Sequence, residues 1–213
     1  LGITHIQLLH LYDFGSVDET NPAAGYNWGY DPVQYNVPEG SFSTQANDPY
    51  QRILELQQVI DAYHKADLSL IMDVVYNHVY LSDDFAFERI VPGYFYRYDQ
   101  NRQRTNGTFC GNDVASERAM VRNYIKQSVK QWVQLYGFDG FRFDLMGILD
   151  HQTMMEIQEE LTATYPNIYL YGEGWKMDTG LEPDLLAHQY NAEQLRPYGS
   201  LVTISVIPLN VVS

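Results

Sequence analysis

Residues 68–75 read Leu-Ser-Leu-Ile-Met-Asp-Val-Val, and Tyr76-Asn77-His78 follow at once. A nearly unbroken apolar run with a single acid close to its end is the pattern of a strand inside a parallel sheet, covered on both faces. Working backwards, residues 3–11, Ile-Thr-His-Ile-Gln-Leu-Leu-His-Leu, have the same character and predict an earlier strand of the same kind. Between the two, Pro49 opens a segment in which Ile53, Leu56, Val59, Ile60 and Tyr63 share one face, which predicts a helix to about Ala66. Working forwards, a helical stripe of Val121, Tyr124, Ile125, Val129, Trp132, Val133 and Tyr136 is stopped by Gly137. A third strand at 138–145, a helix near 151–164 and a fourth strand at 167–173 complete the pattern. Strands separated by helices of this length imply crossover connections and a parallel α/β sheet, either doubly wound or a section of a barrel. No Gly-rich phosphate loop follows any strand, which argues against a nucleotide-binding domain.

Composition narrows the function classes. The chain has 213 residues, 27 acids and 13 bases, a formal net charge of -14. Such an acidic balance disfavours a grip on nucleic acid or on anionic membrane. Apolar residues make up 45% of the chain, enough for a packed core, and no apolar run is long enough to span a bilayer. The single Cys110 excludes an intrachain disulfide, and a small buried thiol is its default reading. Neither an initiator Met nor a basic leader precedes Ile3, so the chain reads as part of something longer and its compartment is unreadable. Oligomeric state is equally unmarked.

In parallel α/β folds ligands gather at the carboxyl ends of the strands, so polar residues that interrupt those ends are the first suspects. Asp73 interrupts the second strand, Arg142 and Asp144 the third, and Glu173 the fourth. Strand alternation puts Arg142 and Asp144 on one face. Buried ion pairs serving structure would produce similar interruptions singly. Two acids with a flanking Arg suit glycosidic cleavage, which needs an ionised nucleophile and a protonated acid. Arg142 would favour the ionised form of Asp144, while Glu173, between glycines and next to Trp175, could keep its proton. The aromatic-rich run Tyr26-Asn27-Trp28-Gly29-Tyr30-Asp31-Pro32 lies in the long irregular segment 12–48, where no core stripe claims it.

These residues identify a resemblance. Tyr-Asn-Trp-Gly-Tyr-Asp-Pro at 26–32, Asp-Val-Val-Tyr-Asn-His at 73–78, Gly-Phe-Asp-Gly-Phe-Arg-Phe-Asp-Leu-Met-Gly at 137–147 and Tyr-Gly-Glu-Gly-Trp at 171–175 closely resemble type I pullulanases. These are the starch-debranching members of the α-amylase superfamily. The resemblance runs from about Leu1 to Gln194. It implies an incomplete (β/α)8 TIM barrel, about its strands 2 to 5, over residues 1–200, with Asp144 as nucleophile and Glu173 as general acid/base. It implies further that Arg142 orients Asp144, that Asp73 and His78 frame the sugar, that Tyr30 stacks beneath it, and that Trp175 sits on the leaving-group side. The implied substrates are α-1,6 branch linkages in pullulan and amylopectin, cleaved with retention. Isoamylases and glycogen-debranching enzymes are the nearest alternatives, and a catalytically dead sugar-binding remnant is another. No cofactor is implied. A structural calcium fits the acid-rich loops without an assigned ligand set.

Two departures stand out. The superfamily's third carboxylate lies in a His-Asp pair, and this chain has no such dipeptide. Residues 201–213, Leu-Val-Thr-Ile-Ser-Val-Ile-Pro-Leu-Asn-Val-Val-Ser, lack charge and do not resemble the family, which suggests a frameshift or truncation. Half a barrel would also leave strand edges unpaired. The purified chain alone is therefore expected to release no reducing sugar from pullulan; measurable debranching by it would contradict this reading.

Overall fold

The computed structural model describes residues 2–195 and 202–204. Its centre is a parallel sheet of β1 (His5–Leu8), β2 (Ser69–Val74), β3 (Gly140–Phe143), β4 (Tyr169–Glu173) and β5 (Val202–Ile204), ordered as they occur in the chain. Apart from β5, the non-matching tail expected at 201–213 lies outside the described residues. The connections carry α1 (Pro49–Lys65), the short α2 (Ala86–Ile90), α3 (Ala119–Tyr136) and α4 (His151–Thr164); α5 (Ala192–Leu195) follows β4. Each long helix starts or stops where local chemistry demands. Asp48 caps α1 by accepting from the amide of Tyr50 ahead of Pro49, and Asp150 caps α4 by accepting from Thr153. Gly137 ends α3 in a left-handed conformation, φ 81°, that a residue with a Cβ adopts only at a cost.

The sheet has two unlike faces, fixed by the two-residue period of the strands. Leu70, Met72, Val74, Phe141, Phe143 and Leu170 point one way and join the apolar stripes of α3 and α4 in one core. Trp132 is its largest member, fully buried, with Nε1 donating to the carbonyl of Tyr35 at 2.9 Å. The opposite face carries Gln7, Ile71, Asp73, Arg142, Tyr171 and Glu173 in lateral register. Here His5, Gln7 and Tyr169 are exposed. Among the described residues β1 has a single strand neighbour, so the expectation that residues 3–11 are buried on both faces fails: His5 and Gln7 are exposed, and the strand is only four residues long.

The segment after β1 is irregular but not loose. Its start is paired with later parts of itself through bridges Tyr12–Pro38 and Phe14–Pro32. Tyr12 threads the core, donating its hydroxyl to the carbonyl of Val75 at 2.5 Å and accepting from the Val75 amide. Truncating Trp132 to Ala would empty the largest core site and leave the Tyr35 carbonyl only its longer bond from Ser128, at a cost of about 3–5 kcal/mol. Urea denaturation measures this; a loss under about 1 kcal/mol would show that the core collapses around the gap.

Candidate active site

The site follows from register. Asp73 and Arg142 are lateral partners on adjacent strands, as are Arg142 and Tyr171, so their side chains share a face. Asp144 is two residues beyond Arg142 and Glu173 two beyond Tyr171, which brings both acids to the same face at the strand ends. One guanidinium then reaches all three carboxylates. Arg142 Nη1 donates to both oxygens of Asp73, at 2.7 and 2.8 Å, and to Asp144 Oδ1 at 3.2 Å, while Nη2 pairs with Glu173 Oε1.

Neighbours fix the rest. Asn77, just after β2, donates its side-chain amide to the Asp144 carbonyl at 2.7 Å and to Asp144 Oδ2 at 3.0 Å. Leu145 sits in the left-handed region, φ 40°, and from that turn its backbone N–H is directed at Glu173 Oε2, 3.2 Å away. Gly147 lets the chain pass beneath Trp175, since a Cβ there would lie 1.9 Å from the Trp175 carbonyl oxygen. Tyr30 donates its hydroxyl to Asp73 Oδ2 at 2.7 Å, and its ring stacks on buried His10 at 6.1 Å. His78 is buried, with Nε2 2.8 Å from the Tyr30 carbonyl and Nδ1 2.6 Å from Asn77 Oδ1.

The fold thus gathers Asp73, Arg142, Asp144, Glu173, Tyr30 and His78, all singled out by sequence. Trp175 rides just past β4 and is part exposed, its backbone rather than its ring tied to the cluster. Asn77, His10, Leu145 and Gly147 were not singled out for roles. Asn77 lay inside a quoted motif, and its contact with Asp144 spans 67 residues, so no local spacing announced it.

Electrostatics depart from the sequence expectation. Burial pushes Asp144 up to about 7, outweighing Arg142 and the Asn77 amide, with Asp73 and Glu173 adding like-charge repulsion. Burial also raises Asp73, against the pull of Arg142. Arg142 does favour the ionised form of Asp144, as its place on the same face predicts, but burial outweighs it, and the one cation is also divided among three acids. His10 and His78 are pushed by burial down to about 3 and about 4, so both rings are neutral near pH 7.

One acidic trio outside this site, Asp13, Glu19 and Glu39, is tight enough to share an ion. Arg52 pairs with Glu19, Glu39 accepts from the amides of Phe14 and Ser41, and burial with repulsion from Glu39 and Glu19 pushes Asp13 up to about 7. Nor does Cys110 match its buried default, for the residue is exposed and only its sulfur is partly covered.

A carboxyl raised from about 4 to about 7 favours the protonated fold, so its contribution to stability declines as pH rises through that window and then levels. Asp144→Asn removes this dependence. The stability of the variant relative to the parent should grow between pH 4.5 and 7.5, as read from urea midpoints; a difference that shrinks with rising pH would mean an acid held ionised.

No family model matches the chain. Known proteins do. It is 46% identical over 199 residues to the pullulanase of Bacillus subtilis (strain 168), covering 93% of this chain and 28% of that one. Pullulanase 1, chloroplastic, of Arabidopsis thaliana is 34% identical, with 82% of this chain and 22% of its own length covered. Among solved structures, a pullulanase from Paenibacillus barengoltzii in complex with maltohexaose and α-cyclodextrin superposes with TM-score 0.92 at 50% identity, over 95% of this chain and 31% of that one. The chain therefore spans under a third of the length of these relatives, and within that span sequence and backbone agree that it belongs to the pullulanase family.

Proposed function

We propose that this segment supplies the nucleophile and the acid/base of an enzyme that hydrolyses α-1,6 branch linkages in pullulan, amylopectin and related α-glucans with retention of configuration. The observation that carries it is the shared guanidinium: Arg142 contacts Asp144 through Nη1 and Glu173 through Nη2, so the two acids face one small volume. Retaining glycosidases need their two carboxyls about 5–5.5 Å apart, a separation that a bridging guanidinium favours.

In this reading Asp144 attacks the anomeric carbon and Glu173 protonates the departing O6 of the branch. Water, deprotonated by Glu173, then releases the glucosyl unit from Asp144, and both acids return to their starting states. The pKa of Asp144 fits a group ionised by a modest change in its surroundings near neutrality. Asp73, fully buried, frames the sugar from below by fixing Arg142 and Tyr30 in place, and neutral His78 supports Tyr30 from behind. Trp175 would lie toward the leaving group. The sheet supports the finer fold reading of an incomplete (β/α)8 barrel: apolar side chains face the helices on one side only, and the acid cluster occupies the other, which in a closed barrel is the interior. A doubly wound sheet would carry helices on both faces.

The test is a chimera in which residues 2–194 replace the matching segment of the Bacillus subtilis pullulanase. Release of reducing ends from pullulan is the expected result, and Glu173→Gln should lower kcat about 10²–10⁴-fold. A chimera that folds and binds pullulan without cleaving it would contradict the hydrolytic reading in favour of a sugar-binding remnant.

A further inference from the structure

Phe109 is the most exposed large apolar side chain among the described residues, at 82%, and its backbone is left-handed, φ 61°. That conformation costs a bulky L-residue about 1–2 kcal/mol, and a ring in water recovers none of it by burial. Strain of this kind persists only where the surroundings impose it. They do so here. Asp113 accepts from the amides of Gly107 and Thr108 at 2.8 and 2.9 Å, and Asn106 Oδ1 accepts from Gly111 at 2.6 Å. The loop is thus a rigid turn with Phe109 at its tip.

Its anchors place that tip. Asn112 accepts from the Val79 amide and donates to the Val79 carbonyl, and the Val114 amide donates to the carbonyl of Asn77, the residue that holds Asp144. On the other side Thr179, six residues past Glu173, donates to Asp113 at 2.7 Å. The turn is therefore fastened to the chain just after β2 and to the chain after β4, the two elements that flank Asp144. Next to Phe109, burial and then the charge on Asp144 push the Cys110 thiol upward, with Asp31 of the aromatic-rich loop contributing in the same sense. Through Asn77, which its base holds and which itself holds Asp144, the turn stands at the Asp144 end of the sheet.

We propose that Phe109 is a substrate-contacting specificity residue, its ring packing on the C–H face of a glucosyl unit of the α-glucan next to the one cleaved. The inference rests on the α-glucan reading above. Sugar rings present apolar faces that suit an aromatic plane, and a ring carried on a backbone already fixed leaves only its own rotamer freedom to lose on binding.

Calorimetric titration of the chimera described above with maltohexaose tests it, alongside urea midpoints. Phe109→Ala and Phe109→Gly should weaken affinity about 5- to 10-fold, while Phe109→Trp stays near the parent. Phe109→Gly should also raise the urea midpoint, because glycine takes the left-handed conformation freely. Stability and affinity then move in opposite directions, which a purely structural residue would not produce. If the parent binds maltohexaose and Phe109→Gly binds equally well, this inference is overturned and the α-glucan reading stands. If a folded chimera binds maltohexaose in no form, both are overturned.

Discussion

One buried guanidinium organises this molecule's chemistry. Arg142 faces three carboxylates from three successive strands, and a single positive charge does not neutralise three negative ones. In a site taken out of water the imbalance is answered by a proton, which is why burial moves Asp144 and Asp73 upward despite their cation. The arrangement needs parallel strands in this register and no other. A slip of one residue along β3 would turn Arg142 and Asp144 toward the helices and carry Phe141 and Phe143 to the polar face.

The remaining architecture holds that cluster still. The helix-facing side of the sheet is a dense aromatic and aliphatic core, with Tyr12, Tyr35 and Tyr76 in mutual ring contact and Trp132 against Tyr12. Tyr76 follows β2 directly, so the packing that seats its ring also sets the direction of Asn77 and His78. On the far side of Asp144 the close passage of Gly147 past the Trp175 backbone joins the ends of β3 and β4. Rigid elements therefore position every proposed catalytic group, and the long loops contribute through fixed hydrogen bonds rather than through their own flexibility.

Much of this was legible in the sequence because two periodicities carry it. The apolar run at 68–75 and the stripe from Val121 to Tyr136 declared β2 and α3, and the acids interrupting strand ends declared the site. What escaped reading depends on distant partners. Ser116 stands three residues before α3 begins at Ala119, and its hydroxyl accepts from the Asp150 amide, 34 residues away. Residues 3–11 looked fully buried because composition cannot say whether a strand has two neighbours or one. The balance at Asp144 is hidden because sequence shows a neighbouring Arg but neither how deeply the acid is buried nor how many acids share the cation. Cys110 was misplaced for a like reason: its loop is held by side chains, not by an apolar stripe.

The central claim is that Asp144 and Glu173 address one anomeric carbon in different roles. Trapping tests it directly: the chimera carrying Glu173→Gln, treated with an activated α-glucosyl fluoride and digested, should yield one peptide heavier by a hexosyl unit, with the modification on Asp144. An adduct on any other residue, or hydrolysis with no adduct and inversion of the released sugar, would contradict the account.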